Sequence, residues 1–388
     1  TMNIRFKTYS CISTTILLLL LCFNPKQGFS QSTKITKNAK AFDVAIKSFD
    51  EIVKLNPSFG PVYRELAETY YFWGTSEPAK YNEYIQKALG YYEKYMSLTD
   101  YSLESRMRHA DFLILAKDYK ALELEANKMK ELDGVNPRIL RYLGYSAYEN
   151  GNFEAALKAL QDYTANTANK VIPRDYIYLG QAKIKKGASA DGKTIDPALL
   201  ASAIEDIKKA VTMEPLVAAD LNELGKKLYD QKAFGAAAAV FEVAVSVPTS
   251  KNYLIDNFYL GNAIYYDNTR KDLAKPDPIA LQKADVAFGN VITASPNTAD
   301  AYIFRARTNN LLEKDDVMAA NYQLYIDIVT AKGEAEVTKS KAKFIEAYNN
   351  MAAFYANTDK AKAKELFNKT LALDPTNSYA TESLKLLK

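Results

Sequence analysis

The chain has 388 residues, 48% hydrophobic and 25% charged, enough apolar material for a large packed core and too much for a disordered or fibrous protein. Lys and Arg number 50 against 46 Asp and Glu, and a net charge of +4 over this length is no nucleic-acid signature. One His, two Cys and one Trp stand beside 28 Tyr, which leaves little for metal, thiol or imidazole chemistry.

Residues 1–30 have the layout of a secretory signal. Arg5 and Lys7 precede an apolar run from Ile16 to Phe23, and Gly28-Phe29-Ser30 places small residues where a signal peptidase reads, so cleavage is expected before Gln31. The run is too short to cross about 30 Å of hydrocarbon. Cys22 offers lipidation as a lesser alternative, opposed by Leu21 where a small residue is wanted. Cleavage would remove Cys11 and Cys22, and with them any disulfide. It would also remove Arg5, Lys7 and Lys26, leaving 47 basic residues against 46 acidic. The expected location is periplasmic, with outer-membrane association open.

From about residue 42 two helical phrases alternate. The first reads Tyr63-Leu66-Ala67-Tyr70, Leu140-Leu143-Gly144-Ala147, Leu221-Leu224-Gly225-Leu228, Asn257-Leu260-Gly261-Ile264 and Tyr348-Met351-Ala352-Tyr355. The second reads Ala45-Phe49-Ile52-Pro57, Ala203-Ile207-Ala210-Pro215, Ala284-Phe288-Val291-Pro296 and Ala363-Phe367-Thr370-Pro375. Their i, i+3, i+4, i+7 spacing is that of one face of an amphipathic helix. Turn segments such as Glu149-Asn150-Gly151-Asn152 separate them, so each unit is a helix–turn–helix. Gly144, Gly180, Gly225 and Gly261 cost about 1 kcal/mol each against Ala inside a helix. A close approach of the paired helix, through Ala156, Ala203, Ala237 and Ala284, is the expected reason. Each Pro stops the second helix.

At these residues the chain resembles a tetratricopeptide repeat (TPR) protein. The resemblance covers roughly residues 42–377 and is sharpest over Pro137–Thr167 and Ala218–Pro248. It implies an all-α fold, a right-handed α-solenoid with a leading half-repeat, about eight full pairs and a closing helix. The expected division is a signal at 1–30 and a single solenoid domain at 31–388. Its repeats fall at about 42–59, 60–102, 103–136, 137–172, 173–217, 218–253, 254–298, 299–343 and 344–377, with a cap at 378–388. Two pairs are degenerate, with Arg106, His109 and Met129 in packing slots of one and Arg305 and Asn309 in the other. Insertions are expected between paired helices at Gly74–Lys80, Lys186–Pro197 and Asn268–Pro278.

Gly187-Ala188-Ser189-Ala190-Asp191-Gly192-Lys193-Thr194 fits the phosphate-binding pattern G-x-x-x-x-G-K-T. A helix rather than a strand precedes it, so turn chemistry is the expected reading and no nucleotide is expected. His109 occupies a packing slot of a first helix and is expected to be structural. Asp315-Asp316 falls in a turn, and Asp191 and Asp196 do not follow a calcium-loop pattern, so no metal or cofactor is expected.

In TPR proteins the first helices line a concave groove, and the resemblance implies one here. The residues expected to face it are Tyr71, Phe72, Arg141, Tyr142, Tyr145, Tyr148, Tyr178, Tyr229, Phe258, Tyr259, Asn262, Tyr265, Tyr266, Phe304 and Arg307, with Arg174, Asn222 and Lys226 interleaved. Tyr brings large area and a hydroxyl at low entropic cost, which suits recognition. The function expected is a non-enzymatic scaffold of the bacterial cell envelope. It would hold a peptide segment or helix of another envelope protein, with no nucleic acid and no membrane contact except through a partner. The alternative is a glycan or other soluble ligand held by the same aromatics.

Overall fold

A computed structural model describes residues 39–99 and 101–387, so the expectations for the signal segment and Cys22 lie outside the described residues. Those residues form nineteen α-helices and no sheet. A single helix, α1 (Ala39–Leu55), comes first. Eight pairs follow. They are α2 (Gly60–Ser76) with α3 (Tyr81–Leu98), α4 (Leu103–Ala116) with α5 (Tyr119–Leu132), and α6 (Arg138–Glu149) with α7 (Phe153–Ala165). Next come α8 (Pro173–Gly187) with α9 (Pro197–Met213), α10 (Leu221–Asp230) with α11 (Phe234–Ala244), and α12 (Tyr253–Asn268) with α13 (Pro278–Ala294). The last are α14 (Ala299–Leu311) with α15 (Asp315–Ala331) and, after the short α16 (Glu334–Lys339), α17 (Lys341–Tyr355) with α18 (Lys360–Leu373). A final helix, α19 (Ser378–Leu386), closes the series. The expected hairpin series is therefore present, with α16 as an addition.

The chain divides into two compact units, one ending at Ala159 and the other beginning at Leu160, inside α7. In the first, Leu66, Ile85, Phe112, Leu113, Leu122 and Met129 are buried between paired helices. In the second, Ile207, Phe241, Phe288, Tyr322, Tyr325 and Phe367 take that role. Full burial of such a side chain is worth about 1.5–3 kcal/mol.

The tight turns share one mechanism. At Lys117, Gly151, Lys232 and Glu313 the backbone turns left-handed, with φ of 59°, 86°, 63° and 57°. The next N–H then donates five residues back: Asp118 to Leu113, Asn152 to Ala147, Ala233 to Leu228 and Lys314 to Asn309, at 2.8–3.0 Å. This is a Schellman stop, which satisfies carbonyls left open at a helix end. Asp118 and Asn152 then accept from the N–H groups of Ala121 and Ala155, capping the next helix.

The glycines explain the close packing, with one revision. A Cβ on Gly225 would lie 2.6 Å from the Phe241 ring, one on Gly261 2.6 Å from Phe288, and one on Gly180 2.8 Å from Ile207. The space is thus filled by a large side chain of the second helix rather than by Ala alone. The first expected insertion is also shorter than its composition implies. Helix α2 runs through Gly74 to Ser76, and only the turn at Pro78–Lys80 separates it from α3. The other two emerge as loops between α8 and α9 and between α12 and α13.

Candidate functional site

The loop between α8 and α9 settles its own chemistry. Ala188 and Ile195 form an antiparallel bridge. The Ser189 N–H donates to the Thr194 carbonyl at 2.9 Å, that of Gly192 to Ser189 O at 2.9 Å, and that of Lys193 to Asp191 Oδ1 at 3.1 Å. The Lys193 ammonium sits 3.1 Å from Asp191. These N–H groups and this Lys, which a phosphate cradle would aim at its ligand, are spent inside the loop. Backbone and side-chain donors from Lys193 and Ser189 hold the exposed Asp191 carboxyl down at about 2.

His109 is held in a polar cluster in the first unit. Its Nε2 lies 3.4 Å from Glu93 and its Nδ1 3.5 Å from Glu125, and Arg106 donates to Glu125 at 2.7 Å. Burial pushes the Glu125 carboxyl up, but hydrogen bonding and charge from His109 and Arg106 outweigh it, and the group sits below its ordinary value. In the other degenerate pair, Arg305 and Asn309 both donate to buried Asp285, at 2.7 and 2.6 Å. Both pairs keep regular helices because their polar slots are filled by such partners. Among the described residues no three His, Cys, Asp or Glu converge as metal ligands, and no helix is long and apolar enough to cross a membrane.

In the first unit the predicted aromatics do not form an open face. Tyr142 and Tyr145 are fully buried, and Arg141 is buried as well. Tyr142 turns inward because its hydroxyl donates to Asp111 at 2.9 Å, with the Met107 carbonyl at 3.3 Å. These three are packing residues, and the expectation that they face a groove is corrected. Tyr71 is half-buried against Phe72 and the edge of Phe112, with Arg108 above the Tyr71 ring and held by Glu68. Tyr148 packs on Phe153 at 5.5 Å, and burial pushes its hydroxyl up to about 12. Tyr178, half-buried on α8, belongs to the second unit.

The second unit does assemble a connected surface. Phe258, Asn262, Tyr265 and Tyr266 are spaced i, i+4, i+7, i+8 on α12, and Tyr259 lies beside them. Tyr229 on α10 meets Tyr259 at 5.2 Å and Phe234 at 5.3 Å. Phe234 stacks on Tyr266 at 5.2 Å. Tyr265 and Tyr266 each meet Phe304 of α14, at 5.6 and 5.9 Å. All these rings are half-buried. Asn262 differs: it is buried, its amide donating to the Phe258 carbonyl at 2.8 Å. It does not present itself at the surface, a second correction.

Charge at this surface is balanced. Arg307 lies over Phe304 at 4.9 Å and is closed by two hydrogen bonds of 2.7 Å to Glu346. Lys226 lies over Tyr259 at 5.7 Å and shares a shallow recess of about 530 Å³ with Glu223, Asp230, Lys227, Asn222 and Gln231. Burial, with Tyr266 and Tyr259 nearby, pushes the Tyr229 hydroxyl up to about 12. Burial also raises that of Tyr265, against Arg307.

Two contributors are absent from the groove residues expected above. Phe234 opens a second helix rather than a first. Its signal was present, because Tyr148–Phe153 and Tyr229–Phe234 are the same five-residue offset across equivalent turns. Asp256 is the other. It is fully buried, bound through Oδ1 by the Asn222 amide at 2.5 Å, and its Oδ2 has no hydrogen-bond partner.

Residues 120–171 match the tetratricopeptide repeat family model. The matched segment, spanning α5 to α7, carries a tetratricopeptide repeat. The chain is similar to the C-terminal part of a TPR repeat-containing protein from Cytophaga hutchinsonii, at 28% identity over 71% of this chain and 98% of that one, with a TM-score of 0.41. Further likenesses are to PilW, a type IV pilus biogenesis factor, at 13% identity over 74% of this chain and 100% of that one with a TM-score of 0.32. Another is to the TPR2AB domain of yeast Sti1 in complex with pHSP90, at 17% identity over 73% and 95% with a TM-score of 0.32. No curated protein matches the sequence.

Proposed function

We propose that this chain is a non-enzymatic protein–protein interaction scaffold, exported to the cell envelope, that holds a segment of a partner on the aromatic surface of α10, α12 and α14. One observation carries the reading. The hydroxyls of Tyr229, Tyr259, Tyr265 and Tyr266 make no hydrogen bond within the described residues, although their rings are locked in mutual contact. Several packing tyrosines elsewhere are bonded internally: Tyr63 to Pro57 O at 2.7 Å, Tyr163 to Lys170 O at 3.0 Å, Tyr322 to Glu346 at 2.8 Å. Rigid rings with unspent polar tips are the chemistry of a recognition surface. The signal-like layout of residues 1–30 supports export.

A photo-crosslinking residue at Lys226, introduced in the native cell, tests both parts. The adduct should appear in the periplasmic or outer-membrane fraction with one dominant partner. Tyr266→Ala, and the stronger Tyr229→Ala/Tyr259→Ala/Tyr266→Ala variant, should abolish it with helical circular dichroism retained. Unchanged crosslinking in the single and triple variants would remove this surface as the binding site, and a cytoplasmic adduct would remove the envelope assignment.

A further inference from the structure

The second unit carries a groove that the aromatic surface does not use. It lies between the second helices α11 and α13, with Asn257 and Leu260 of α12 at its floor, and has a volume of about 580 Å³. Successive helix residues turn by about 100°, so this floor is on another face of α12 from Phe258, Asn262 and Tyr265. We propose that the groove is a second binding site, independent of the aromatic surface. Its ligand is an uncharged, extended segment of a partner protein, held by one main-chain N–H on Asn290 Oδ1 with aliphatic side chains against the walls.

The hydrogen bonds fix the polar point of the groove. The buried Asn257 amide donates from Nδ2 to the Tyr253 carbonyl at 2.8 Å. A carbonyl only accepts, so this bond determines which end of the amide is oxygen. Asn257 Oδ1 therefore faces Asn290 and accepts from its Nδ2 at 3.0 Å. The same Nδ2 donates to the Tyr253 hydroxyl at 3.3 Å. The Asn290 amide is thereby oriented and its donors are spent. What remains is Asn290 Oδ1, an acceptor with no donor among the described residues, on a side chain that lines the groove.

Around that acceptor the walls are aliphatic: Val245, Leu260, Ile279, Val286 and Ala287. Ile279 is 73% exposed and Val286 55%, so the walls stand open. The two charged lining residues, Glu242 of α11 and Lys283 of α13, are paired with each other at 2.5 Å. The lining therefore carries no unpaired charge to attract an acidic or basic tail.

This combination discriminates between ligand classes. Beyond its first turn a helix has spent its main-chain N–H groups, whereas an extended segment has not. A sugar would press hydroxyls against aliphatic walls with one acceptor to meet them. An acyl chain would cover Asn290 Oδ1 without supplying a donor. Each leaves polar atoms unpaired, which is costly. An extended peptide supplies both an N–H for the acceptor and side chains for the walls on either side of it.

Fluorescence anisotropy of short labelled peptides against the full chain tests this. Ser alternates with Val, Leu or Ala in the test peptides. An alternating Ser-Glu peptide, an amphipathic helical peptide, an oligosaccharide panel and a fatty acid serve as competitors. At least one aliphatic peptide should bind saturably and more tightly than every competitor. Replacing its amides by esters one at a time removes single N–H donors, and one position should weaken binding about 2–10-fold. In Asn290→Leu that ester should have no further effect, a readout that general distortion of the groove would not give. Val286→Glu places a carboxylate among the walls at an exposed position. It should weaken binding at least about tenfold with helical circular dichroism retained. The Tyr229→Ala/Tyr259→Ala/Tyr266→Ala variant should bind the peptide unchanged. Absence of saturable binding, preference for any competitor, an equal ester effect with and without Asn290, or unchanged affinity in Val286→Glu would overturn the inference while leaving the aromatic-surface reading intact. Loss of binding in the Tyr→Ala variant alone would place the peptide on the aromatic surface, overturning this inference and supporting that reading.

Discussion

Glycines 225 and 261 are single residues on which the spacing of two helix pairs depends. A methyl group at either would sit 2.6 Å from a fully buried phenylalanine ring, so the ring or the helix must move. Gly225→Ala and Gly261→Ala should each lower stability by about 1–3 kcal/mol in denaturant unfolding, the usual cost of overpacking. Gly90→Ala is the control: nothing lies within 4 Å of a Cβ there, and the gain in helix propensity should raise stability slightly. Asp256 supplies a pH-dependent counterpart. Burial raises its carboxyl from the ordinary 3.8 to about 6, opposed by the Asn222 hydrogen bond. Lys226, Arg305 and Arg307 on neighbouring helices are engaged with Tyr259, Asp285 and Glu346, so no cation offsets its charge. Folding therefore favours the protonated acid. Its contribution is fully present below pH 3.8, is lost as pH rises to about 6, and is flat above. The loss is on the order of 2–3 kcal/mol. Asp256→Asn should flatten that part of the stability profile and raise the midpoint of unfolding at pH 7; an unchanged profile would refute the assignment.

At the scale of the helix and its turn, much was legible because the determinants are local. The i, i+3, i+4, i+7 phrases, the Pro stops and the Glu149–Asn152 turn all act within one hairpin. What was not legible was which aromatic on a first helix turns inward. Tyr142 and Tyr145 differ from Tyr148 by less than two turns of α6, yet the first two are buried and the third is half-exposed. The decision for Tyr142 is made by Asp111 and the Met107 carbonyl, on the preceding pair and more than thirty residues earlier. No pattern within α6 carries that information. Gly74 is a related case: its surroundings in sequence suggest a loop, but the helix continues through it, with Tyr84 packed close by. The turns also hold a reserve of stability. Lys117, Lys232 and Glu313 occupy left-handed backbone where Gly151 stands in the equivalent turn. Lys232→Gly should stabilise by about 1 kcal/mol, because Gly alone adopts this conformation without steric cost. Thermal unfolding of Lys117→Gly, Lys232→Gly and the double variant would show whether the gains are real and additive.

At the scale of the molecule, a repeat stack has no central core, and each hairpin depends on its neighbour to cover its apolar face. In the second unit α19 has this role for the last pair. Ala380 and Leu387 are buried in the same cluster as Ala363, Leu366 and Phe367, and Tyr379 lies edge-on to the Phe367 ring at 5.8 Å. Asn377 caps the helix by accepting from the Ala380 N–H at 3.0 Å, which fixes where α19 begins and hence which face it lays down. Removing α19 by ending the chain at Asp374 would expose Phe367 and Leu366 on α18. The effect should be graded along the array. Amide hydrogen exchange should accelerate most in α17 and α18, less in α14 and α15, and not at all in α2 and α3. Nearest-neighbour coupling transmits the loss only through successive interfaces. Uniform acceleration across all pairs would mean the array unfolds as one cooperative block, and unchanged exchange in α18 would mean that α19 covers nothing that matters. Because the α10 and α12 rings of the aromatic surface are separated from α18 by the α14–α15 hairpin, peptide binding by the truncated chain should survive in large part. The same experiment therefore separates the residues that hold the stack together from those available to a partner.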